Sequence, residues 1–215
     1  TAEMCKLTEN SFRDVNIAFA NELSMICDKL DIDVWELIRL ANRHPRVNIL
    51  QPGPGVGGHC IAVDPWFIVS KTPEQAKLIR SAREVNDSKP QWVIEKVKLA
   101  VAEFLQANTE KTAKDVSIAC FGLAFKPDID DLRESPAVKI ALQIASIHPG
   151  PTLAVEPNVE CLPSNLVERI KLVDIEDAFA QADVIVLLVD HSQFKSMPKH
   201  ILSTKKHVDT RGILS

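Results

Sequence analysis

The feature that most constrains this chain is a change of hydrophobic rhythm near residue 108. Ahead of it, apolar residues recur at three- and four-residue steps; after it, short β-rich runs alternate with helical segments. In 2–30, Met4, Leu7, Val15, Ala18, Phe19, Leu23 and Ile26 mark a long helix uninterrupted by Gly or Pro. A shorter helix is predicted over 33–42, ending before Pro45, with further helices over 66–70, 73–86 and 90–107. Asp64 and Pro65 read as the N-cap and first helical residue of the 66–70 helix. The second rhythm gives strands at 116–121, 153–155, 171–173, 184–189 and 207–208, with helices at 135–147 and 175–181. Such alternation implies a parallel sheet with helices on both faces and ligands beyond the carboxyl ends of the strands. The fold class is therefore α/β. An all-helical domain over 1–107 precedes a Rossmann-like, doubly wound domain over 108–215, the boundary falling in the polar 108–114 stretch.

The first half is interrupted once. Residues 48–58 contain Pro52, Pro54 and four glycines, at 53, 55, 57 and 58, out of seven in the protein, so the backbone here must take an unusual path. Cys60 lies at the exit of this loop, four residues before Asp64. Backbone N–H groups at a helix start stabilise a thiolate and can also hold an oxyanion formed on an attacked carbonyl. The alternative is a structural Cys packed as a small hydrophobe, the role expected of Cys5, Cys27, Cys120 and Cys161, which lie in apolar patterns.

Composition narrows the function. A formal net charge of −4, with no basic cluster interleaved with aromatics, argues against nucleic-acid binding. No apolar run reaches the roughly 20 residues that span a bilayer, and the start is unlike a signal peptide, so the expectation is a cytoplasmic protein without a membrane partner. Five cysteines without a CxxC pair or zinc-like His/Cys spacing suggest reduced thiols and no metal site. Thr1 opens directly into a helical pattern, which reads as an excised piece of a longer chain.

These segments together resemble a known family. Gly-Val-Gly-Gly-His-Cys-Ile-Ala-Val-Asp-Pro, ending at Pro65, resembles the GGxCxxxD active-site segment of the UDP-glucose/GDP-mannose dehydrogenases. The helix from Ala2 through Asn10 looks like the start of the family's central helix. Phe121-Gly122-Leu123-Ala124-Phe125-Lys126-Pro127, followed by Asp130-Asp131-Leu132-Arg133-Glu134-Ser135-Pro136, looks like its carboxyl-terminal signature. Further fits come from Ala182-Asp183 through His191 and from Val208-Asp209-Thr210-Arg211-Gly212. Asn42-Arg43-His44-Pro45-Arg46-Val47 before the glycine loop is most similar to the branch acting on UDP-N-acetylmannosamine.

The resemblance implies a two-step, four-electron oxidation of a sugar C6 alcohol to a carboxylate with two NAD⁺, in making cell-surface polysaccharide precursors. Cys60 would form a thiohemiacetal and then a thioester. Lys6 and Asn10, one helical turn apart, point to the same space; the family's matching Lys stabilises charge on the C6 oxygen, and the residues matching Asn10 and Asp64 handle water. Read without the resemblance, the pair is a solvated helix face and Asp64 a cap. Arg46, with Arg43 as its neighbour, resembles the Arg supplied across a dimer interface to the sugar-nucleotide phosphates, a task suited to the guanidinium fork. Gly57 belongs to the substrate loop. Lys126 matches a substrate contact and Arg133 a group facing the cofactor, against the alternative of a salt-bridge network with Asp128, Asp130, Asp131 and Glu134. His59 and His191 receive no catalytic role.

The family binds NAD in a domain opened by Gly-x-Gly-x-x-Gly, which does not occur in these residues, so this stretch is not expected to turn over alone. The resemblance implies a UDP-sugar substrate and a homodimer through the central helices. A dimerising nucleotide-binding module with an incidental thiol stands as the alternative. A Cys/His thiol hydrolase is weaker, because no residue orienting the His is evident.

Overall fold

Twenty-eight residues without Gly or Pro form α1 (Ala2–Lys29), but the face this helix buries is the polar one. Asn10, Ser11, Asp14, Asn21 and Ser24 are buried beside Ala18, Ala20 and Cys27, whereas Met4, Phe12, Phe19, Ile26 and Leu30 are exposed along one side. The apolar periodicity located the helix, but it does not show which face is buried, because inward polar groups are satisfied by partners distant in sequence. Cys5 is likewise exposed, as is Cys161; of the four cysteines expected in the core only Cys27 and Cys120 are buried. Burial pushes the Cys120 thiol up to about 12, so it is inert as a nucleophile.

The computed structural model describes residues 1–197 and 204–214, which fall into two units, Thr1–Lys89 and Pro90–Leu214. In the first, Asp31 in the left-handed region (φ 55°) follows α1. Asp33 caps α2 (Val34–Ala41) by accepting from Trp35 N and Glu36 N. The third helix, α3 (Asp64–Lys71), begins one residue earlier than a cap at Asp64 would require: Val63 holds the cap position without a side-chain bond, and Asp64 is helical.

The two helices expected over 73–86 and 90–107 are one, α4 (Lys77–Ala107), with Pro90 inside it. An internal Pro costs about 3 kcal/mol through the lost N–H and the clash with the preceding turn. Here the helix is packed on either side of that point, by Arg83, Asn86 and Lys89 in the first unit and by Val93, Ile94 and Val97 in the second, all buried. The division between units consequently falls at 89/90 within α4, not at the polar stretch after Ala107, because residues 93–100 contribute to the core of the sheet unit.

Among the described residues that unit has five parallel strands: β1 (Ile118–Phe121), β2 (Thr152–Val155), β3 (Lys171–Leu172), β4 (Val184–Leu187) and β5 (Lys206–Asp209). Their order is β3-β2-β1-β4-β5, and the first residue of β1 pairs with Thr152 on one side and Val184 on the other. Strand residues alternate between two cores. Ile118, Cys120, Ala154, Val184 and Val186 pack with α4 and with α5 (Pro136–Ile147). Ala119, Phe121, Leu153, Ile185 and Leu187 pack with Ala178 of α7 (Ile175–Gln181) and Phe194 of α8 (Ser192–Lys195). Burial on both faces is why the strands read as continuous apolar runs. Phe121 and Phe194 meet edge to face at 5.3 Å, worth about 0.5–1.5 kcal/mol beyond burial. Ser135 caps α5 through Ala137 N and Val138 N, with Pro136 in the first turn. The short helices α6 (Ser164–Val167) and α8 have too few residues to leave a period and were not foreseen.

Candidate active site

In the first unit the glycine loop is fixed from below. Pro52, Gly53 and Pro54 are buried, and Gly53 N donates to Asn21 Oδ1 of α1 at 2.9 Å. Asn21 Nδ2 in turn donates to Asn86 Oδ1. Asn86 Nδ2 donates to Asp14 Oδ1, which also accepts from Arg83 NH1 at 2.6 Å. This buried chain Gly53–Asn21–Asn86–Asp14–Arg83 was missed in the sequence. Its only signal is polar residues at 10, 14, 21 and 24 of a helix, on the side where an apolar face should lie.

Beyond its buried base the loop passes through Gly55 (φ 146°) and Gly58 (φ 85°), backbone conformations that L side chains rarely adopt. Gly57 between them is half-buried. Cys60 emerges exposed. Its own carbonyl accepts from Val63 N at 3.1 Å and Asp64 N at 2.8 Å. Those two amides at the start of α3 are therefore satisfied by backbone, so they do not serve as free donors for the thiolate or an oxyanion.

Side chains converge on the same helix start. Asp64 does not cap; its Oδ2 accepts from Asn10 Nδ2 of α1 at 2.5 Å. Asn10 is 2% exposed. Two of the residues singled out, 54 positions apart, are thus brought together four residues from the thiol. Lys6 stands one turn before Asn10, its ammonium 3.7 Å from Glu9 Oε2 on an open surface; such a pair is worth at most about 1 kcal/mol and yields readily to a stronger anion.

Arg43 and Arg46 are exposed on the turn after α2. The turn is clasped by Asn42, which donates to Ile49 O at 2.9 Å and accepts from Ile49 N at 2.7 Å. Neither guanidinium takes a carboxylate partner among the described residues.

In the second unit, Lys126 is exposed beyond the carboxyl end of β1 and has no ion pair among the described residues. Arg133 differs: its Nε and NH2 hold Asp131 at 2.9 and 2.7 Å, and Asp131 pushes its pKa up. Glu134 pairs with Lys139, while Asp128 accepts from Ser192 N and Oγ. The salt-bridge alternative describes Arg133, and leaves Lys126 available for an anion. A hollow of about 670 Å³ at the ends of β2 and β3 is lined by Glu156, Asp174 and Glu176, a lining unfavourable to a diphosphate.

Around the segment that carries Lys126 lies a buried polar cluster, of which the sequence singled out only His191, and without a catalytic role. His191 is 0% and Glu156 3% exposed, with Nε2 3.1 Å from Oε2. Leu123 N and Ala124 N donate to the same oxygen at 2.7 and 3.0 Å. Burial pushes the Glu156 carboxyl up, but His191 and the two amides outweigh it and hold the group below its ordinary value.

Comparison with known proteins follows both units. Residues 1–88 match the central domain of the UDP-glucose/GDP-mannose dehydrogenase family and residues 119–215 its UDP-binding domain. A UDP-N-acetyl-D-mannosamine dehydrogenase of Yersinia pestis is 68% identical over 99% of the chain and 50% of its own length. An NDP-N-acetyl-D-galactosaminuronic acid dehydrogenase of Ralstonia solanacearum is 59% identical over 100% of the chain and 48% of its own length. A solved UDP-D-ManNAc dehydrogenase from Pyrococcus horikoshii superposes with a TM-score of 0.83 at 35% identity, over 100% of this chain and 49% of that one. The chain thus spans about half the length of the curated relatives it matches.

Proposed function

Because this chain belongs to the UDP-glucose/GDP-mannose dehydrogenase family, we propose that it carries the thiol and the sugar-nucleotide face of a cytoplasmic enzyme oxidising UDP-N-acetylmannosamine at C6 to the uronic acid, for cell-surface polysaccharide precursors. The observation supporting this reading most directly is the Asn10–Asp64 hydrogen bond, which gathers an amide and a carboxylate four residues from an exposed Cys60.

The chain's own chemistry is that of the thiol. Cys60 Sγ adds to the C6 aldehyde carbon, and the carbonyl π electrons become an alkoxide that the Lys6 ammonium stabilises. At the later thioester, Asp64 takes a proton from water held by Asn10; the new C–O bond forms as the C–S bond breaks and the thiolate leaves. Arg46 and Arg43, free of carboxylates, are assigned to the diphosphate of a neighbouring copy's substrate, Gly57 to sugar contact and Lys126 to phosphate. Arg133 would reach a cofactor only by giving up Asp131.

The family resemblance implies NAD, and the sheet unit of this chain does not fit it. The amides of Leu123 and Ala124, where a pyrophosphate would rest on the first strand–helix turn, are taken by Glu156. A Cβ on Gly122 would lie 2.4 Å from Val189 Cβ, so this glycine serves chain packing and not ligand approach. Glu156 itself, at the end of β2 where a carboxylate would take ribose hydroxyls, is turned inward.

For assembly, Met4, Phe12, Phe19, Ile26 and Leu30 form one exposed apolar side of α1. A second copy of this chain laid against it would bury that stripe in a homodimer.

A dimerising nucleotide-binding module with an incidental thiol is the second reading, favoured by the backbone satisfaction of Val63 N and Asp64 N. Alkylation rates of each cysteine, mapped by mass spectrometry with and without UDP-N-acetylmannosamine or UDP-glucose, separate the two. Cys60 alkylating faster than exposed Cys5 and Cys161, with protection by the acetamido sugar nucleotide, supports the enzyme. Equal rates without protection support the module.

A further inference from the structure

The 123–128 strap that carries Lys126 is pinned at its start by buried Glu156 and at its far end by buried His191. At its start, Leu123 N and Ala124 N donate to Glu156 Oε2. At its far end, Asp128 N donates to His191 Nδ1 at 2.9 Å. His191 Nε2 and Glu156 Oε2 join these anchors at 3.1 Å. A backbone N–H can only donate, so Nδ1 is an acceptor, a role matched by Asn158 Nδ2 at 3.1 Å. Nε2 therefore carries the proton and donates it to the carboxylate. Asp128 itself is in the left-handed region (φ 58°), a conformation that costs a non-glycine residue about 1 kcal/mol or more and persists only where the surroundings impose it.

Such an arrangement exceeds what packing requires. Apolar groups of similar size would fill the same space but would leave the Leu123, Ala124 and Asp128 amides without acceptors, and could not hold two separate stretches of one strap in register. Between the pinned ends the exposed cation is Lys126, without an ion pair among the described residues.

We propose that His191 is a positioning residue for the substrate diphosphate, acting with Glu156 to fix the backbone from which Lys126 reaches the ligand. This inference rests on the reading of Lys126 as a phosphate contact. His191 touches neither substrate nor reacting atoms; it works through the Asp128 amide.

The test is calorimetric titration of UDP into the full chain, three single variants and one double variant, with ¹⁵N NMR of the wild-type imidazole. Lys126→Ala is expected to weaken UDP by roughly tenfold or more, the scale of one charge-assisted contact. His191→Phe removes the acceptor and should weaken UDP comparably, while adding little in the Lys126→Ala background because both act through one contact. His191→Asn, whose side-chain oxygen falls near the place of Nδ1, should restore most of the affinity. The ¹⁵N spectrum, which needs no variant to fold, should show an unprotonated Nδ1 and a protonated Nε2.

Full affinity in His191→Phe beside a weakened Lys126→Ala overturns the positioning role alone. A protonated Nδ1 overturns it as well, since the Asp128 bond could not then exist. Unchanged affinity in Lys126→Ala overturns the phosphate reading and the proposal that depends on it.

Discussion

Replacing Arg83 by Met would show how far the first unit depends on one buried ion pair. Arg83 is 1% and Asp14 0% exposed, and the guanidinium donates to Asp14 Oδ1 at 2.6 Å. Asn86 supplies that oxygen's other side-chain bond, and Oδ2 has no partner among the described residues. Met keeps much of the apolar stem but withdraws the cation, leaving a carboxylate with one neutral side-chain donor. Removing one partner of such a pair costs about 3–5 kcal/mol, which at about 2–4 °C per kcal/mol lowers the melting temperature by roughly 6–20 °C.

The pH dependence has a definite sign. Burial pushes Asp14 above its ordinary 3.8 in spite of Arg83. A raised acid binds a proton on folding, so its contribution is full below 3.8 and is lost as pH rises through the folded value. Without Arg83 the folded value climbs further, and the deficit of the variant should be small near pH 4 and largest near about pH 7. Thermal melting followed by circular dichroism and by the fluorescence of Trp35 and Trp66, both in the first unit, measures it. A loss under about 1 kcal/mol at neutral pH, or a deficit that deepens on acidification, refutes the reasoning.

Asn21→Ala removes the acceptor of Gly53 N and should cost about 1–3 kcal/mol for the orphaned amide, with faster hydrogen exchange at Gly53 as its local signature; unchanged exchange there would contradict the loop anchor. Gly122→Ala must place a Cβ 2.4 Å from Val189 Cβ at φ +86°, so a loss of about 2–4 kcal/mol is expected by chemical denaturation, which Val189→Ala, keeping that Cβ, should not restore. Glu156 is held below its ordinary 4.5, so its contribution is present above that pH and lost as pH falls through the folded value; Glu156→Gln should flatten this acid limb, and an unaltered limb in the melting curves would show that the carboxylate is not responsible.

What the sequence disclosed, and what it hid, divides along a physical line. Period acts within a few residues, so α1, α2, α5 and the sheet strands were legible to within a residue or three. Partners far apart in sequence leave no period. Asn10 could be placed on one face with Lys6, but its bond to Asp64 turns a presumed helix cap into a tertiary contact. Asp14 and Asn21 are buried on α1 through bonds to Arg83 and Asn86 of α4, which the local pattern could not show. Pro90 reads locally as a break, and only packing on either side of it keeps α4 whole. Arg133 reads locally as either a ligand group or an ion-pair member, and its bond to Asp131 appears only in the structure.

The sheet of the second unit shows why topology alone does not assign a ligand. Strand order 3-2-1-4-5 leaves a crevice beside β1, the usual place for a nucleotide in such folds. Whether a pyrophosphate can rest on the first strand–helix turn depends on what occupies the amides there. In this chain the occupant is internal: Glu156 accepts from Leu123 N and Ala124 N, and His191 extends the same carboxylate's reach to Asp128 N. A negatively charged group already sits where the phosphates of a dinucleotide would approach, and an incoming phosphate would meet repulsion as well as lost donors. The available cation, Lys126, lies further along the same strand–helix connection, on the strap that the carboxylate and imidazole brace. If Lys126 takes a phosphate as proposed, the carboxylate that closes the turn to a dinucleotide is also half of the pair that braces the strap carrying it.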